Sequence, residues 1–195
     1  MTVKRQITAE DIRPQAEYLP IRAEERSRIS AVKKHRRVEV GPFATFYFEN
    51  WQTIRHQIQE MLHIEKGGAE QLADELAAYG PLVPRGGELV ATVMFEVDEP
   101  IRRKAALLRI GGIEHKTFLA IGGEQIRGIP DAERENTSED GKASAVQFFH
   151  FPLTEPQVAA FRTEGTQILL GFDHPNYGHI AVVSPAVQAA LAEDL

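Results

Sequence analysis

The hydrophobic period of the chain changes at the segment "PLVPRGG", residues 81–87, and this change restricts the fold more than any other feature. Before it, apolar residues recur at intervals of three and four, as in helices that bury one face. After it, alternating runs such as "ELVATVMFEV" are typical of half-buried strands. The sequence therefore predicts an α+β fold in which a helical N-terminal layer packs on a mainly antiparallel sheet.

A length of 195 residues suits one domain of ordinary size. We expect a single compact domain over residues 1–195, with a mainly helical part over 1–80 and a strand-rich part over 88–195 that ends in a helix. The polar segment 131–144 has no apolar periodicity and predicts a long mobile loop. The segment 100–115 fits neither period, so helix and strand both stay open there.

Local end signals divide the helical part and identify one hairpin. Pro20 is placed to begin a basic helix that reaches about Arg37. Asn50 can cap the following helix, which we expect over residues 51–66. In the strand-rich part, the Gly-Gly pair at 122–123 predicts a two-residue hairpin turn.

The absence of cysteine removes several classes of site at once. A chain with zero cysteines has no disulfide, no Cys-type zinc site, no iron–sulfur ligation and no thiol nucleophile. The N-terminal segment "MTVKRQITAEDIRPQ" lacks the apolar run of a signal peptide, and no stretch reaches the apolar length of a membrane span. We therefore expect a cytoplasmic protein without a membrane partner.

Charge is distributed unevenly along the chain. The formal net charge is −6, but residues 1–40 hold ten Lys/Arg against six Asp/Glu, which leaves −10 on residues 41–195. A basic arm on an acidic body can serve an external anion, or it can pack on the acidic surface of a second subunit. The second arrangement predicts a homodimer.

The basic helix carries the most regular charge pattern. Four cations fall within about 60° of each other on a helical wheel and form a stripe about 22 Å long. These are Arg22, Arg26, Lys33 and Arg37. Such a stripe predicts an anion- or partner-binding surface for an acidic protein or a small anionic ligand. Nucleic acid is disfavoured because the body is acidic and no aromatic residues alternate with the cations.

The segment "RHQIQEMLHIEK", residues 55–66, holds His56, Glu60 and His63 at helical spacing. The pair Glu60 and His63 reads Glu-x-x-His, a form that di-iron bundles use for metal ligands. Residues seven apart lie about 10.5 Å apart along a helix axis, so one helix offers two ligands to one ion at most. No second copy of the motif occurs in a helical segment, so a solvated or partner-facing polar face is the competing interpretation.

The segment "DHPNYGH" is the better histidine cluster. A four-residue loop over 175–178 would make His174 and His179 cross-strand neighbours about 5 Å apart at Cβ. With Asp173 or a distant residue as a third ligand, this arrangement predicts a divalent metal site. Turn chemistry alone also explains the Pro, Asn and Gly of the loop.

No motif identifies a catalytic residue. The chain has no Walker phosphate loop, no dinucleotide-binding glycine fingerprint, no Gly-x-Ser-x-Gly elbow and no His-Glu-x-x-His motif. Acidic pairs such as Asp98-Glu99 lie in expected loops, where solvated charge is ordinary. Catalytic residues and cofactors therefore remain unknown at this level, apart from the divalent metal already considered.

Several segments together resemble a bacterial family known only as a domain of unknown function. They are the basic helix that runs into Gly41-Pro42, the segments "FENWQT" and "QEM", and the closing "DHPNYGHIAVVSPAVQAALAEDL". Genes of this family often lie beside rubrerythrin-like and iron–sulfur oxidoreductase genes. The resemblance implies a role linked to oxidative-stress or redox metabolism, and it supplies no catalytic residues.

The sequence predicts, first, a non-catalytic cytoplasmic binding or accessory protein that uses the basic stripe. The alternative is a metal-dependent enzyme or redox accessory protein that uses Asp173, His174 and His179, with Glu60 or His63 brought alongside by the fold. The second alternative is a nucleic-acid-binding regulator, which a salt titration against DNA would test.

Overall fold

The helices concentrate in the first part of the chain, as the hydrophobic period predicts. A computed structural model describes residues 3–195. The helices are α1 Gln15–Tyr18, α2 Arg22–Lys34, α3 Trp51–Glu65, α4 Gly68–Tyr79, α5 Pro100–Arg109, α6 Glu155–Arg162 and α7 Pro185–Ala192. Asn50 caps α3 as predicted, because its side chain accepts a hydrogen bond from the Thr53 amide at 3.0 Å.

The strands form two antiparallel sheets, which confirms the α+β prediction. Their bounds are β1 Arg37–Val40, β2 Ala44–Phe48, β3 Glu88–Phe95, β4 Thr117–Ile121, β5 Glu124–Arg127, β6 Ile129–Pro130, β7 Val146–Pro152, β8 Ile168–His174 and β9 Tyr177–Val182. One sheet has the order β1-β2-β3-β7-β6 and the other β5-β4-β8-β9. The Gly122–Gly123 turn joins β4 to β5, as predicted.

The main core lies between the two sheets. Its largest fully buried side chains include Phe46, Phe149, Phe151 and Phe172. A second apolar cluster lies between α3 and the opposite face of the first sheet, where Ile54 and Ile58 pack with Val90 and Phe148. The helical layer therefore covers one sheet, as the sequence predicts, while the second sheet covers its other face.

The edge strands β1 and β9 lie side by side, and Tyr177 fastens them. Its hydroxyl donates to the Val40 carbonyl at 2.8 Å and accepts from the amides of Phe43 and Ala44 at 3.2 and 3.1 Å. All three of these backbone groups lie at the turn between β1 and β2. One buried hydroxyl thus satisfies three backbone groups where the sheets meet.

The structure corrects the end of one predicted helix and decides one segment that the sequence leaves open. The basic helix ends at Lys34 rather than near Arg37, because the alternating Val38 and Val40 pair with β2 instead. The segment left open between helix and strand is the helix α5, whose first turn is capped by the Glu99 carboxylate. Pro100 at its first position agrees with a helix start.

The polar segment 131–144 is a loop, as predicted, but it has fixed contacts rather than a free course through solvent. Ala143 is fully buried, and its amide donates to the Leu107 carbonyl at 3.0 Å. Thr137 donates to Glu114 at 2.8 Å and accepts from the Gly112 amide at 3.0 Å. These contacts hold the loop against the end of α5.

Gly111 lies against this loop, and replacing it with Ala should loosen the loop. A Cβ at Gly111 would overlap the carbonyl oxygen of Gly141. We expect Gly111→Ala to lower the free energy of unfolding by about 1–2 kcal/mol, since a surface loop can retreat in part. Gly80→Ala is the control, because a Cβ there meets only Ile7 at 3.8 Å. Equal urea midpoints for the two variants would show that the contact is unimportant.

No helix in residues 3–195 combines the length and the apolar character needed to cross a membrane.

Candidate anion-binding groove

The helix α2 is mostly polar and is anchored by one buried side chain, Ile29. Its first turn carries Glu24 and Glu25 and its last turn Lys33 and Lys34, an arrangement that complements the helix dipole. Because so little of its surface is buried, α2 leaves a long polar face open beside β1, β2 and α3. This face forms one wall of a groove.

The groove has a volume of about 770 Å³, and we call it the basic groove. Its charged lining consists of Arg26, Lys33, Lys34 and Arg37. The rest of its lining is Ser27, Ser30, Tyr47, His56, Ile29 and Ala31. The lining contains four cations and no carboxylate, although the chain as a whole carries a net charge of −6.

The four cations of the basic groove make no ion pair among the described residues. Neighbouring arginines behave differently: Arg28 and Arg55 both pair with Glu25, at 3.2 and 2.5 Å. The protein therefore neutralises cations on one side of α2 and leaves those of the groove unneutralised. Four like charges so arranged create a local positive potential that favours an anion.

His56 reaches the basic groove from α3, and its surroundings favour the uncharged form of the ring. Its Nδ1 atom is buried and has no hydrogen-bond partner in the described structure. Burial lowers the pKa of the imidazole, and the ammonium of Lys33 adds to this effect, while Glu60 opposes it. Because burial favours the uncharged form of the ring, His56 adds a polar but uncharged group to the lining of the basic groove.

Arg22 is separated from the other members of the predicted stripe. Its Nε and Nη2 atoms each donate to Glu60 at 2.8 Å, and the Tyr18 hydroxyl donates to the same carboxylate at 2.7 Å. The structure thus brings Arg26, Lys33 and Arg37 together at one groove and uses Arg22 to hold α2 on α3.

The predicted ligands on α3 are engaged with other side chains. Glu60 accepts from Arg22 and Tyr18, and the Nδ1 atom of His63 lies 3.4 Å from the Gln15 amide oxygen. The part of this polar face that holds Glu60 and His63 is therefore covered by α1 and α2, and no metal-ligand group is formed there among the described residues. These contacts come from helices of the same chain, and a contact with a second protein at this face stays a prediction.

The predicted register of the "DHPNYGH" hairpin is wrong. The turn contains only Pro175 and Asn176, so His174 pairs with Tyr177, and His179 pairs with Phe172. His174 accepts from the Asn176 amide at 3.2 Å through Nδ1, and its Nε2 lies 3.2 Å from the Gly111 carbonyl. Both ring nitrogens of His174 thus have protein partners, with the proton assigned to Nε2 by these contacts.

Asp173 points to the opposite face of β8 from His174 and pairs with Arg127 at 2.5 Å. The hydrogen bond from Arg127 lowers the pKa of this carboxyl. Within residues 3–195, no group of three potential His, Asp or Glu ligands is placed to hold a metal ion. The geometry therefore does not bring the predicted metal ligands together.

Four polar residues of the basic groove are not among the residues that the sequence predicts for a site: Ser27, Ser30, Lys34 and Tyr47. Ser30 and Lys34 follow Arg26 at intervals of four and eight and share its face, so a wider helical wheel would have found them. Ser27 is one position on, about 100° around the helix, and carries no such signal. Tyr47 carries a different signal, since it alternates with the buried Phe46 and Phe48 and must point outward.

The family model that matches this chain covers residues 6–195 and is described as a protein of unknown function, DUF3501. The chain belongs to the DUF3501 family. This confirms the resemblance to an uncharacterised family, while the gene neighbourhood that it implies stays a prediction. Comparison with curated proteins finds no match.

A solved structure supports the same assignment. The chain is 38% identical to a novel protein of unknown function from Burkholderia pseudomallei K96243, with a TM-score of 0.90. The match covers 97% of this chain and 99% of that chain. The fold described here is therefore shared with that relative, whose own description names no ligand or activity.

Proposed function

We propose that this DUF3501 protein is a non-catalytic binding or accessory protein that captures a small phosphate- or carboxylate-bearing anion in the basic groove. The observation that carries the proposal is the lining of four cations without a carboxylate or an ion pair. The alternative metal-dependent function has less support, because Asp173 and both ring nitrogens of His174 already have protein partners.

The arrangement suits an anion for electrostatic reasons. Arg26, Ser30, Lys33 and Lys34 lie at intervals of four, seven and eight along α2 and so share one face. Mutual repulsion among these cations is relieved when an anion binds between them. Guanidinium and ammonium groups also form the stronger, charge-assisted hydrogen bonds to phosphate and carboxylate oxygens. The acidic body repels long polyanions, which favours a small ligand over nucleic acid.

We also propose that the protein is cytoplasmic and that its role is linked to redox metabolism. This proposal rests on the family resemblance, which links these genes to oxidoreductase genes. A binding protein without thiols would serve such metabolism by holding an anionic metabolite rather than by transferring electrons through cysteine.

Loss of single groove cations should weaken anion binding. We expect Arg26→Gln and Lys33→Gln each to weaken the binding of inorganic tripolyphosphate about tenfold, a loss of about 1.4 kcal/mol. Isothermal titration calorimetry at low ionic strength measures this directly. Arg102→Gln and Lys104→Gln on α5 are matched controls, because both cations are exposed and lie outside the groove. Affinity should be unchanged in the controls.

Two results would overturn the proposal. One is the absence of tripolyphosphate binding to the unmodified protein at low salt, and the other is an equal loss of affinity in the α5 controls. A different occupant of the groove would be a second copy of the chain, with its acidic surface against the four cations. In that case sedimentation velocity would show a homodimer that dissociates at high salt and in Lys33→Gln, and the small-anion proposal would be replaced.

A further inference from the structure

An aromatic ring stands at one end of the basic groove. Tyr47 on β2 lies directly opposite Arg37 on β1, so both side chains project from the same outer face of the sheet. The Tyr47 hydroxyl donates to Glu96 at 3.3 Å, and this contact fixes the orientation of the ring. Arg37 therefore brings a positive charge to the end where the ring stands.

Within the described structure, the Tyr47 ring lacks two kinds of contact that can occupy an aromatic face. Among the described residues, no aromatic ring stacks on it and no cation lies over it. The residue is half-buried and lines the groove. A half-buried aromatic side chain that lines a groove and has no stacking partner can serve as a platform for a planar ligand group.

The cations and hydroxyls extend the groove away from this platform. Lys34 lies at the end of α2 nearest to β1, and Arg26 lies eight residues earlier, about 12 Å along the helix axis. Ser27 and Ser30 lie between them and add two hydroxyl donors. The groove thus combines an aromatic end with a long anion-binding part.

We propose that the ligand of the basic groove is a nucleoside polyphosphate, whose base stacks on Tyr47 and whose phosphates lie along Arg26, Ser30 and Lys33. This assignment deepens the proposed function and rests on it. Stacking requires only the π-face of a base, so the groove should accept purines and pyrimidines alike. The His56 ring is a further polar group in the lining of this groove.

A mononucleotide fits this groove better than a nucleic acid strand does. Tyr47 is the only Phe, Trp or Tyr of the lining within the described structure, so one base can stack there and not several in succession. Three of the four cations, Arg26, Lys33 and Lys34, span about 12 Å of α2, which is enough for a triphosphate tail and too little for a longer strand. Beyond the groove, the acidic body would repel further phosphates.

Calorimetry with ATP, CTP and inorganic tripolyphosphate, without divalent metal, tests this assignment. We expect both nucleotides to bind about tenfold more tightly than tripolyphosphate. Tyr47→Leu should remove this advantage and leave the affinity for tripolyphosphate unchanged. Tyr47→Phe should keep the advantage, because it retains the ring and loses only the hydrogen bond to Glu96.

The outcomes separate the two proposals. If tripolyphosphate binds but nucleotides bind no more tightly, the nucleotide assignment is wrong and the anion-binding function stands. If neither binds, both are wrong. A single-stranded hexanucleotide that binds more than tenfold more tightly than ATP would also overturn the assignment, because it would show a strand rather than a mononucleotide in the groove.

Discussion

Replacing Arg36 with Met is expected to lower the free energy of unfolding by about 4 kcal/mol, because it leaves a buried charge without its partner. The side chains of Arg36 and Asp194 are only 4% and 6% exposed, and they form an ion pair. The Arg36 guanidinium also donates to the carbonyls of Phe48 at 3.0 Å and of Glu49 and Ala190 at 3.1 Å. One arginine thus joins the end of α2, the end of β2 and the C-terminal helix.

The pH dependence of this defect identifies its cause. Burial raises the pKa of Asp194, and the charge of Arg36 opposes that rise. Without Arg36 the carboxyl should take up a proton more readily, so the loss of stability should be smaller at pH 5 than at pH 7. Urea unfolding at the two pH values measures the difference.

Two matched variants complete this experiment. Arg37→Met removes the neighbouring exposed arginine and should change the free energy of unfolding by less than about 0.5 kcal/mol. The double variant with Arg36→Met and Asp194→Leu should recover part of the lost free energy of unfolding, since it also removes the unpaired buried carboxylate. A small effect of Arg36→Met at pH 7 would show that the ion pair does not hold the C-terminal helix in place.

Much of the fold follows from local signals that the sequence displays directly. Asn50 caps α3 because its side chain reaches the backbone three residues on, and that relation needs no information from elsewhere in the chain. The Gly122-Gly123 turn is equally local, because both residues have positive φ angles, of 57° and 94°. Signals of this kind gave the order and type of most elements.

The register of the last hairpin shows where local signals fail. Pro, Asn and Gly in "PNYG" are all turn formers, so the sequence does not show which of them belong to the turn. The structure places only Pro175 and Asn176 there and pairs Tyr177 with His174. The decisive contact is distant: the Tyr177 hydroxyl must reach Val40, 137 residues earlier. A four-residue loop would make His174 and His179 cross-strand neighbours. The two-residue loop pairs His174 with Tyr177 and His179 with Phe172 instead.

The sequence predicts only the part of the candidate site that depends on positions within one helix. The helical wheel brings Arg26 and Lys33 together, and both line the basic groove. It also included Arg22, because a wheel shows which residues share a face but not which of them meets a carboxylate of another helix. Arg36 gave no signal within the run "HRR", since its partner Asp194 lies 158 residues away.

Glu60 should make stability depend on pH below about pH 5. Hydrogen bonds from Arg22 and Tyr18 lower the pKa of its carboxyl from an ordinary 4.5 to about 2, and partial burial opposes them. A carboxyl with a lower pKa in the folded state stabilises the fold above its unfolded pKa, and this contribution is lost as the pH falls toward 2. Because Arg22 is 29% exposed, solvent screens part of the interaction. We expect Glu60→Gln to lower the free energy of unfolding by about 2 kcal/mol at pH 7.

The difference between Glu60→Gln and the unmodified protein should be constant from pH 7 to about pH 5.5 and should fall by more than half by pH 3. Urea titrations at each pH give this difference directly, and the exposed Glu70→Gln on α4 should show no comparable change. A difference that stays the same at pH 3 would assign the loss to packing rather than to the charged contact. The expected result would instead show that the polar face of "RHQIQEMLHIEK" binds α2, and that Glu60 serves Arg22 and Tyr18 rather than a metal ion.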